Sequence, residues 1–433
     1  MTEIVNLPGK AFRQLRTVLR ILWIRVSAMG LLAVVALYGS HLIGVFLPDN
    51  WLGLIQGRSA DRLLNLIATA MLTVTTFSLT VMVSVYRSSS SQFTPRIHQL
   101  IRTDSVTQNT LATFTGAYVY ALVAIVLREV GYFGDEQALV LFIVTVLVLA
   151  LIVWSMVRWM QHLQTLGSLI NSARRLETIT ANRFRERLDT PCLGATPLTG
   201  EVPEDGLTVV AKRSGYVQHI HPEPLQEDCA EAGVEMYLLQ EVGDYVFVGE
   251  PVARITGGTL DDDARETLKQ SIHDNVVTGD ERTYDQDPRF GLQVMSEIGS
   301  KALSPGINDP GTAIDALNRL GRVLSDYRDE TQEEGERPHA ALHIRPLDAR
   351  TLVDDSFAGI ARDGASVIEV QVRLQRVLAG LMRHPDRGLS AAAREHAALF
   401  YDRAVAAMDF APDRDKLRAA THPDVLAERS DDS

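Results

Sequence analysis

The sequence predicts an α-helical integral membrane protein of four spans, continued by an α+β cytoplasmic region in which a small β module precedes a helical C-terminal domain. Three observations predict it. Four apolar runs each reach the roughly 20 residues that a bilayer crossing needs. Arginines cluster on alternate sides of those runs. Past residue 190 the pattern turns polar, first short and glycine-punctuated, then helical in period. The expected division is a transmembrane domain over 1–160, a helical stalk over 161–190, the β module over 191–258, a helical domain over 259–415 and a flexible tail over 416–433.

The runs lie near 21–47, 63–86, 110–130 and 137–160. A basic leader (Lys10, Arg13, Arg16, Arg20) precedes the first, which is too long for a signal-peptide core and has no small-residue cleavage site after it, so it reads as retained. Arg87, Arg96 and Arg102 follow the second run, and Arg158, Arg174, Arg175, Arg183, Arg185 and Arg187 follow the fourth. The two other loops are near neutral or acidic. Positive-inside bias then puts both termini in the cytoplasm. Tyr132, Phe133, Trp154 and Trp159 sit near span ends, where aromatic belts are expected. The fourth run is almost uniformly Leu, Val and Ile and reads as lipid-facing. Small residues recur at Ala36, Ser40 and Gly44 and at Ala112 and Gly116, suited to close helix packing within the chain or between subunits.

The stretch LTVTTFSLTVMVS (72–84) is the unusual one, with six hydroxyls in thirteen residues. At about 100° per residue, Thr69, Thr73, Thr76, Thr80 and Ser84 align with Asn65, Arg62 and Arg87 inside about 100° of arc. Each hydroxyl can return to its own helix at little cost, with the stripe packed on small-residue faces. The stripe can equally line a hydrated path, and fixed positive charge at both ends then favours anions.

Charge divides the chain. Residues 1–190 hold 17 Lys and Arg against 10 Asp and Glu, and residues 191–433 hold 25 against 44. So acidic a soluble half argues against nucleic acid, which needs a basic footprint. Cys192 and Cys229 suggest no disulfide framework. Leu163, Leu166, Ile170, Ala173 and Leu176 continue a helical spacing out of the fourth run, and the arginines beyond suit anionic headgroups.

GLTVVAKRSGYVQHI and VEMYLLQEVGDYVFVGEPVARI (206–256) resemble the barrel-sandwich fold of biotinyl and lipoyl domains. The family's modified lysine is absent from the matching hairpin; Lys212 precedes the first strand, so the resemblance implies an unmodified adaptor. Thr259 or Asp261 then caps a helix, and RTYDQDPRFGLQVMSEIGSKALSPGINDPGTAIDALNRL (282–320) reads as a helix near 289–303, a sharp loop, and a second helix with Asp309 as N-cap before Pro310. That run, with SQFTPRIHQLIRTDSVTQNTLATFTGAYVYALV (91–123), resembles a bacterial family of membrane proteins catalogued as domain of unknown function 2254. The resemblance implies a four-span membrane protein with a cytoplasmic domain and brings no reaction, substrate or partner with it; the expected location is a bacterial inner membrane.

No phosphate loop, dinucleotide fingerprint or nucleophile elbow is present, so no catalytic residue, cofactor or metal is assigned. His339 and His343 lie on a short β-like segment, and His219 and His221 lack a third ligand. Asp285 and Asp287 before Pro288, with Asn308 and Asp309, are candidates for a ligand or coupling loop if the helical hairpin brings them together; otherwise they cap helices and turns. The acids of DETQEEGER (329–337) read as a solvated loop. Two readings follow: a self-associating channel or pore-type transporter in the lipid bilayer, governed by its cytoplasmic domain, or a non-conducting scaffold or sensor whose acidic half binds a partner or ligand.

Overall fold

The computed structural model describes residues 22–44, 57–92, 94–97, 105–132, 138–164, 168–332 and 337–430. The basic leader, Phe133, Arg102, Leu166 and the acids Glu333, Glu334 and Glu336 lie outside these residues. The chain divides into two compact units, one of residues 1–91 and 98–171, the other of residues 92–97 and 172–433.

The first unit is helical: α1 (Leu22–Gly44), α2 (Gly57–Gln92), α3 (Ser105–Glu129) and α4 (Ala138–Leu163). Three helices are long and apolar enough to cross a membrane, over Arg58–Arg87, Val106–Glu129 and Leu139–Leu163. In α1 the apolar stretch among the described residues is shorter, Val26–Ala36. The small residues serve packing inside the chain. Ala112, Gly116, Ala117 and Ala121 of α3 are all buried, and a Cβ on Gly116 would meet Met29 of α1 at 2.8 Å. The side chains of Ser40 and Gly44 lie outside the described set.

The lipid-facing expectation for the fourth run holds for one side only. Leu141, Thr145, Val148, Ile152, Ser155 and Trp159 form a buried stripe along α4, the i, i+4, i+7 period of a helix with one packed face. Thr145 is satisfied twice: its hydroxyl donates to the Leu141 carbonyl at 2.7 Å and lies 3.0 Å from the Tyr120 hydroxyl. Trp159 packs inward, whereas Trp154 is outward with Arg158 over its ring at 5.4 Å.

In the second unit α5 (Leu169–Asp189) is not a free stalk. Gly291 lies so close to Thr180 that any Cβ there would collide with its side chain. Two of the α5 arginines pair within the unit: Arg185 with Asp326 at 2.8 Å and Arg187 with Glu330 at 2.6 Å. Glu330, expected in a solvated loop, is a buried hub. It accepts from Arg187 Nε and Nη2 (2.6 and 3.1 Å), Cys192 N–H (2.9 Å) and Leu347 N–H (2.6 Å). Four donors satisfy a carboxylate that burial would otherwise penalise heavily.

The β region differs from a self-contained barrel-sandwich over 206–256. A five-stranded sheet runs in the order β1 (Ala195–Pro197), β8 (His339–Ile344), β4 (Glu235–Leu238), β6 (Pro251–Thr256), β2 (Leu207–Val210). A three-stranded antiparallel sheet runs β5 (Tyr245–Val246), β3 (Gly215–Ile220), β7 (Val276–Gly279). Three of the eight strands thus come from outside the segment, and β8 pairs in parallel with both β1 and β4. The helix α6 (Pro222–Ala232) lies between β3 and β4. Burial pushes both Cys192 and Cys229 up to about 12, which keeps the thiols protonated and unreactive.

The rest is helical: α7 (Asp262–Asn275), α8 (Pro288–Ala302), α9 (Pro310–Leu324), α10 (Ala349–Asp363), α11 (Ile368–Leu381), α12 (Arg387–Ala407), α13 (Ala411–Ala420) and α14 (Pro423–Ser430). Side-chain caps start several of them, including Asp261 of α7, Asp348 of α10 and Asp386 of α12. Where a flexible tail is expected, α13 and α14 run to Ser430, and Leu417 and Val425 give them an apolar face that is wholly buried.

Candidate functional site

Each unit holds one group of the candidate residues. In the first, Arg62, Asn65, Thr69, Thr73, Thr76, Thr80, Ser84 and Arg87 are all exposed on the outer side of α2. The opposite side carries Ala60, Leu64, Ile67 and Met71 into the bundle core. The polar stripe therefore faces away from the chain's own helices and does not pack on the small-residue faces of α1 and α3. Locally it is satisfied by its own helix: Thr73 donates to Thr69 O (3.3 Å), Thr76 to Leu72 O (2.9 Å), Thr80 to Thr76 O (2.9 Å) and Asn65 to Asp61 O (2.9 Å). Ser78, on the buried side, is 1% exposed and its hydroxyl has no partner among the described residues.

In the second unit the four acidic-loop candidates are not brought together. Asp285 and Asp287 stand before the start of α8, while Asn308 and Asp309 stand beyond its end. With 15 residues at about 1.5 Å each, some 22 Å of helix separates the pairs. Asp285 is exposed, 4.0 Å from Arg183. Asp309 caps α9: Thr312 donates from its N–H (3.1 Å) and its hydroxyl (2.6 Å). The Thr312 hydroxyl, then the backbone bonds, hold the Asp309 carboxyl below the usual range. Asn308 takes a left-handed backbone, φ 51°, which Asn tolerates better than most side chains. Asp309→Ala should cost about 1 kcal/mol. Since the carboxyl is depressed in the fold, its contribution is present above the unfolded value near pH 3.9 and fades as pH falls through the lower folded value. Thermal melts of wild type and variant should therefore differ at neutral pH and converge in strong acid.

Asp287 is different. It is 2% exposed and caps α8 by accepting from Phe290 N–H at 2.9 Å. Arg282 sends Nε and Nη2 to its Oδ2 (2.9 and 2.6 Å), Nη1 to Gln293 (2.5 Å), and lies over the Phe290 ring at 5.0 Å. Gln293 passes the chain on to Asp355 (2.7 Å), which also accepts from Arg289 (2.8 Å); Arg289 in turn lies 3.6 Å from Glu241. Burial pushes Asp287 up, against the Arg282 guanidinium that favours its ionised form. Burial, and then Asp244, push Glu241 up. Gly243 makes room for this group: its φ is +98°, and a Cβ there would collide with Asp287. Arg282, Arg289, Glu241, Gln293 and Asp355 went unremarked in the sequence because their partners are scattered over more than a hundred positions.

The loop after α2 also enters this unit. Arg96 forms an ion pair with Glu297 of α8, and its carbonyl accepts from the Tyr284 hydroxyl at 3.4 Å. The two motifs singled out in the sequence, 91–123 and 282–320, thus meet through Arg96, Tyr284 and Glu297. The family model for a predicted membrane protein, domain of unknown function 2254, matches residues 20–380. The chain belongs to that family.

Two curated relatives within reach of this family member are Uncharacterized protein Rv1290c of Mycobacterium tuberculosis and Uncharacterized protein Mb1321c of Mycobacterium bovis. Each is 29% identical over 293 residues, covering 63% of this chain and 53% of the relative. The chain spans about half the length of the curated relatives it matches. No solved structure matches it. Other sequence candidates stay apart from any site: the His219 and His221 rings are 4.3 Å apart and His343 stacks on Tyr237 at 4.2 Å. Among the described residues no group of three or more His, Cys, Asp and Glu is placed to hold a metal.

Proposed function

We propose that the protein is a homo-oligomeric channel or pore-type transporter, anion-preferring, with four spans, both termini cytoplasmic in a bacterial inner membrane, and no catalytic role. One observation supports it above the others. The hydroxyl stripe of α2, with Arg62 and Arg87 at its ends, is exposed on the side opposite the chain's own core. Polar faces in membrane helices turn toward a bundle interior or a water-filled cavity. Among the described residues the chain offers this stripe no interior, so further copies of the chain would supply it. The Arg96, Tyr284 and Glu297 contacts link the loop after α2 to α8, which gives the cytoplasmic unit a handle on the lining helix.

The rival is a non-conducting scaffold or sensor. It is favoured by the back-bonds of Thr73, Thr76 and Thr80, which lower the cost of leaving hydroxyls against lipid. Thiol labelling and flux in liposomes separate the two. A Thr80→Cys variant should react with a membrane-impermeant thiol reagent, since only a hydrated thiol ionises readily, while Leu79→Cys should stay inert. Reconstituted protein should pass chloride, and Arg87→Glu should shift selectivity toward cations. An unreactive Thr80→Cys together with absent anion flux would sink the channel and leave the scaffold.

A further inference from the structure

The second unit contains a cleft that none of the candidate residues above uses. It has a volume of about 540 Å³ and lies where the end of β2, the last turns of α7, β7 and part of β6 come together. That size is within the range of small-ligand sites, roughly 300–1,000 Å³. Its floor is apolar: Val252, Ile272 and Val276 line it and are themselves buried. Its mouth carries adjacent cations, Lys212 and Arg213, with His273 beside them.

The charge is out of keeping with its surroundings. Residues 191–280 carry 17 Asp and Glu and only five Lys and Arg, and two of those five stand at this one opening. A structural role accounts for part of the pair. Lys212 Nζ donates to Gln270 at 3.0 Å near the C-terminal turn of α7, where a cation is favoured. Arg213 Nε donates to the Thr278 hydroxyl at 2.9 Å, and Nη2 to the Thr278 carbonyl. Those contacts use one of the three Lys212 donors and leave Arg213 Nη1 unengaged among the described residues. Asp274, the one carboxylate on the wall, accepts from Gln270 Nε2 at 2.8 Å. Burial, then the Lys212 ammonium, hold His273 below the usual imidazole range, so at neutral pH it adds an uncharged N–H.

We propose that this cleft binds a small phosphate-bearing molecule, its phosphate held between Lys212 and Arg213 and its apolar or aromatic body laid on Val252, Ile272 and Val276. A guanidinium fork and an ammonium together match the two charges and several acceptor oxygens of a phosphomonoester, and the apolar floor strengthens the attraction by excluding water. The site goes beyond the channel reading, because it concerns binding alone and stands whether or not the spans conduct. A free phosphate ester and an anionic lipid headgroup share this chemistry, and the site's size and apolar floor favour the free ester.

The test uses the full-length protein in phosphatidylcholine nanodiscs, with adenosine 5′-monophosphate, inorganic phosphate and adenosine as probes and isothermal titration and thermal melting as readouts. Adenosine monophosphate should bind and raise the melting temperature of the second unit by about 5–10 °C at a hundredfold excess over its Kd. Inorganic phosphate should compete weakly and adenosine more weakly still. Lys212→Gln and Arg213→Gln should each weaken binding about 10- to 100-fold; each also gives up an exposed structural bond, to Gln270 or to Thr278, so the melting temperature without ligand should fall by no more than about 2–4 °C. Lys269→Gln, on α7 but off the cleft, should bind as wild type does. Binding of adenosine equal to that of the monophosphate, or binding indifferent to both substitutions, would overturn the proposal. So would an effect of phosphatidylglycerol in the nanodiscs that adenosine monophosphate fails to reproduce. None of these readouts involves flux, so a failure here leaves the channel reading where it stood.

Discussion

Replacing Glu330 with leucine should destabilise the second unit by about 3–5 kcal/mol, the usual cost of removing one partner of a buried ion pair. Arg187 would be left half-buried with only the Arg345 carbonyl as an acceptor, and the N–H groups of Cys192 and Leu347 would lose theirs. The damage should spread to the backbone. Cys192 and Leu193 hold left-handed conformations, φ 50° and 57°, which cost non-glycine residues roughly 1–2 kcal/mol each and persist only where surroundings impose them. The Cys192 N–H to Glu330 bond is one such imposition. Scanning calorimetry of full-length protein should show the second unit melting on the order of 10 °C lower. A loss under 1 kcal/mol would mean that water replaces the carboxylate and that the site is far wetter than its burial indicates.

The second large effect belongs to the Arg282–Asp287 pair. Asp287→Ala removes the α8 cap and strands Arg282, and should also cost about 3–5 kcal/mol. Replacing both partners, Arg282→Met with Asp287→Ser, keeps a capping hydroxyl and removes both charges. Most of the stability should return, because apolar replacement of a buried pair is often near neutral. If the double variant melts as low as the single one, the remaining links through Gln293 and Asp355, and not the charge pair, hold α8 in position. Measured alongside these, ligand or flux behaviour of the double variant would tell whether the network serves coupling as well as folding.

The parts of this fold legible in the sequence are those decided within a few residues. Asp309 before Pro310 and Asp261 before an acidic first turn cap helices as their spacing implies, and α8 falls within a residue of the expected bounds at each end. The alignment of Thr69, Thr73, Thr76 and Thr80 is likewise a property of one helix. What the sequence hides depends on partners far along the chain. Glu330 sits among acids that look solvated, and only Arg187, some 140 positions earlier, makes it a core residue. The separation of Asp287 from Asp309 was equally hidden: each reads as a cap, and only the 15-residue length of α8 sets them at opposite ends. The β module misled because alternation marks a strand without naming its neighbour. Nothing local in HAALHI announces that it will lie between β1 and β4.

That insertion of β8 has a consequence for how the protein is made. Strands β1, β2, β4 and β6 are complete once Thr256 leaves the ribosome, but the strand that joins β1 to β4 begins only at His339, 83 residues later. At about 5–20 residues per second, the nascent sheet waits roughly 4–17 s with the β4 edge unpaired. Throughout that interval the growing chain offers a row of bare backbone donors and acceptors, the kind of surface that recruits neighbouring chains or chaperones. Slowing elongation between codons 257 and 338 should lower the yield of correctly assembled protein, and a supplied HAALHI peptide, able to fill the gap in trans, should restore part of it.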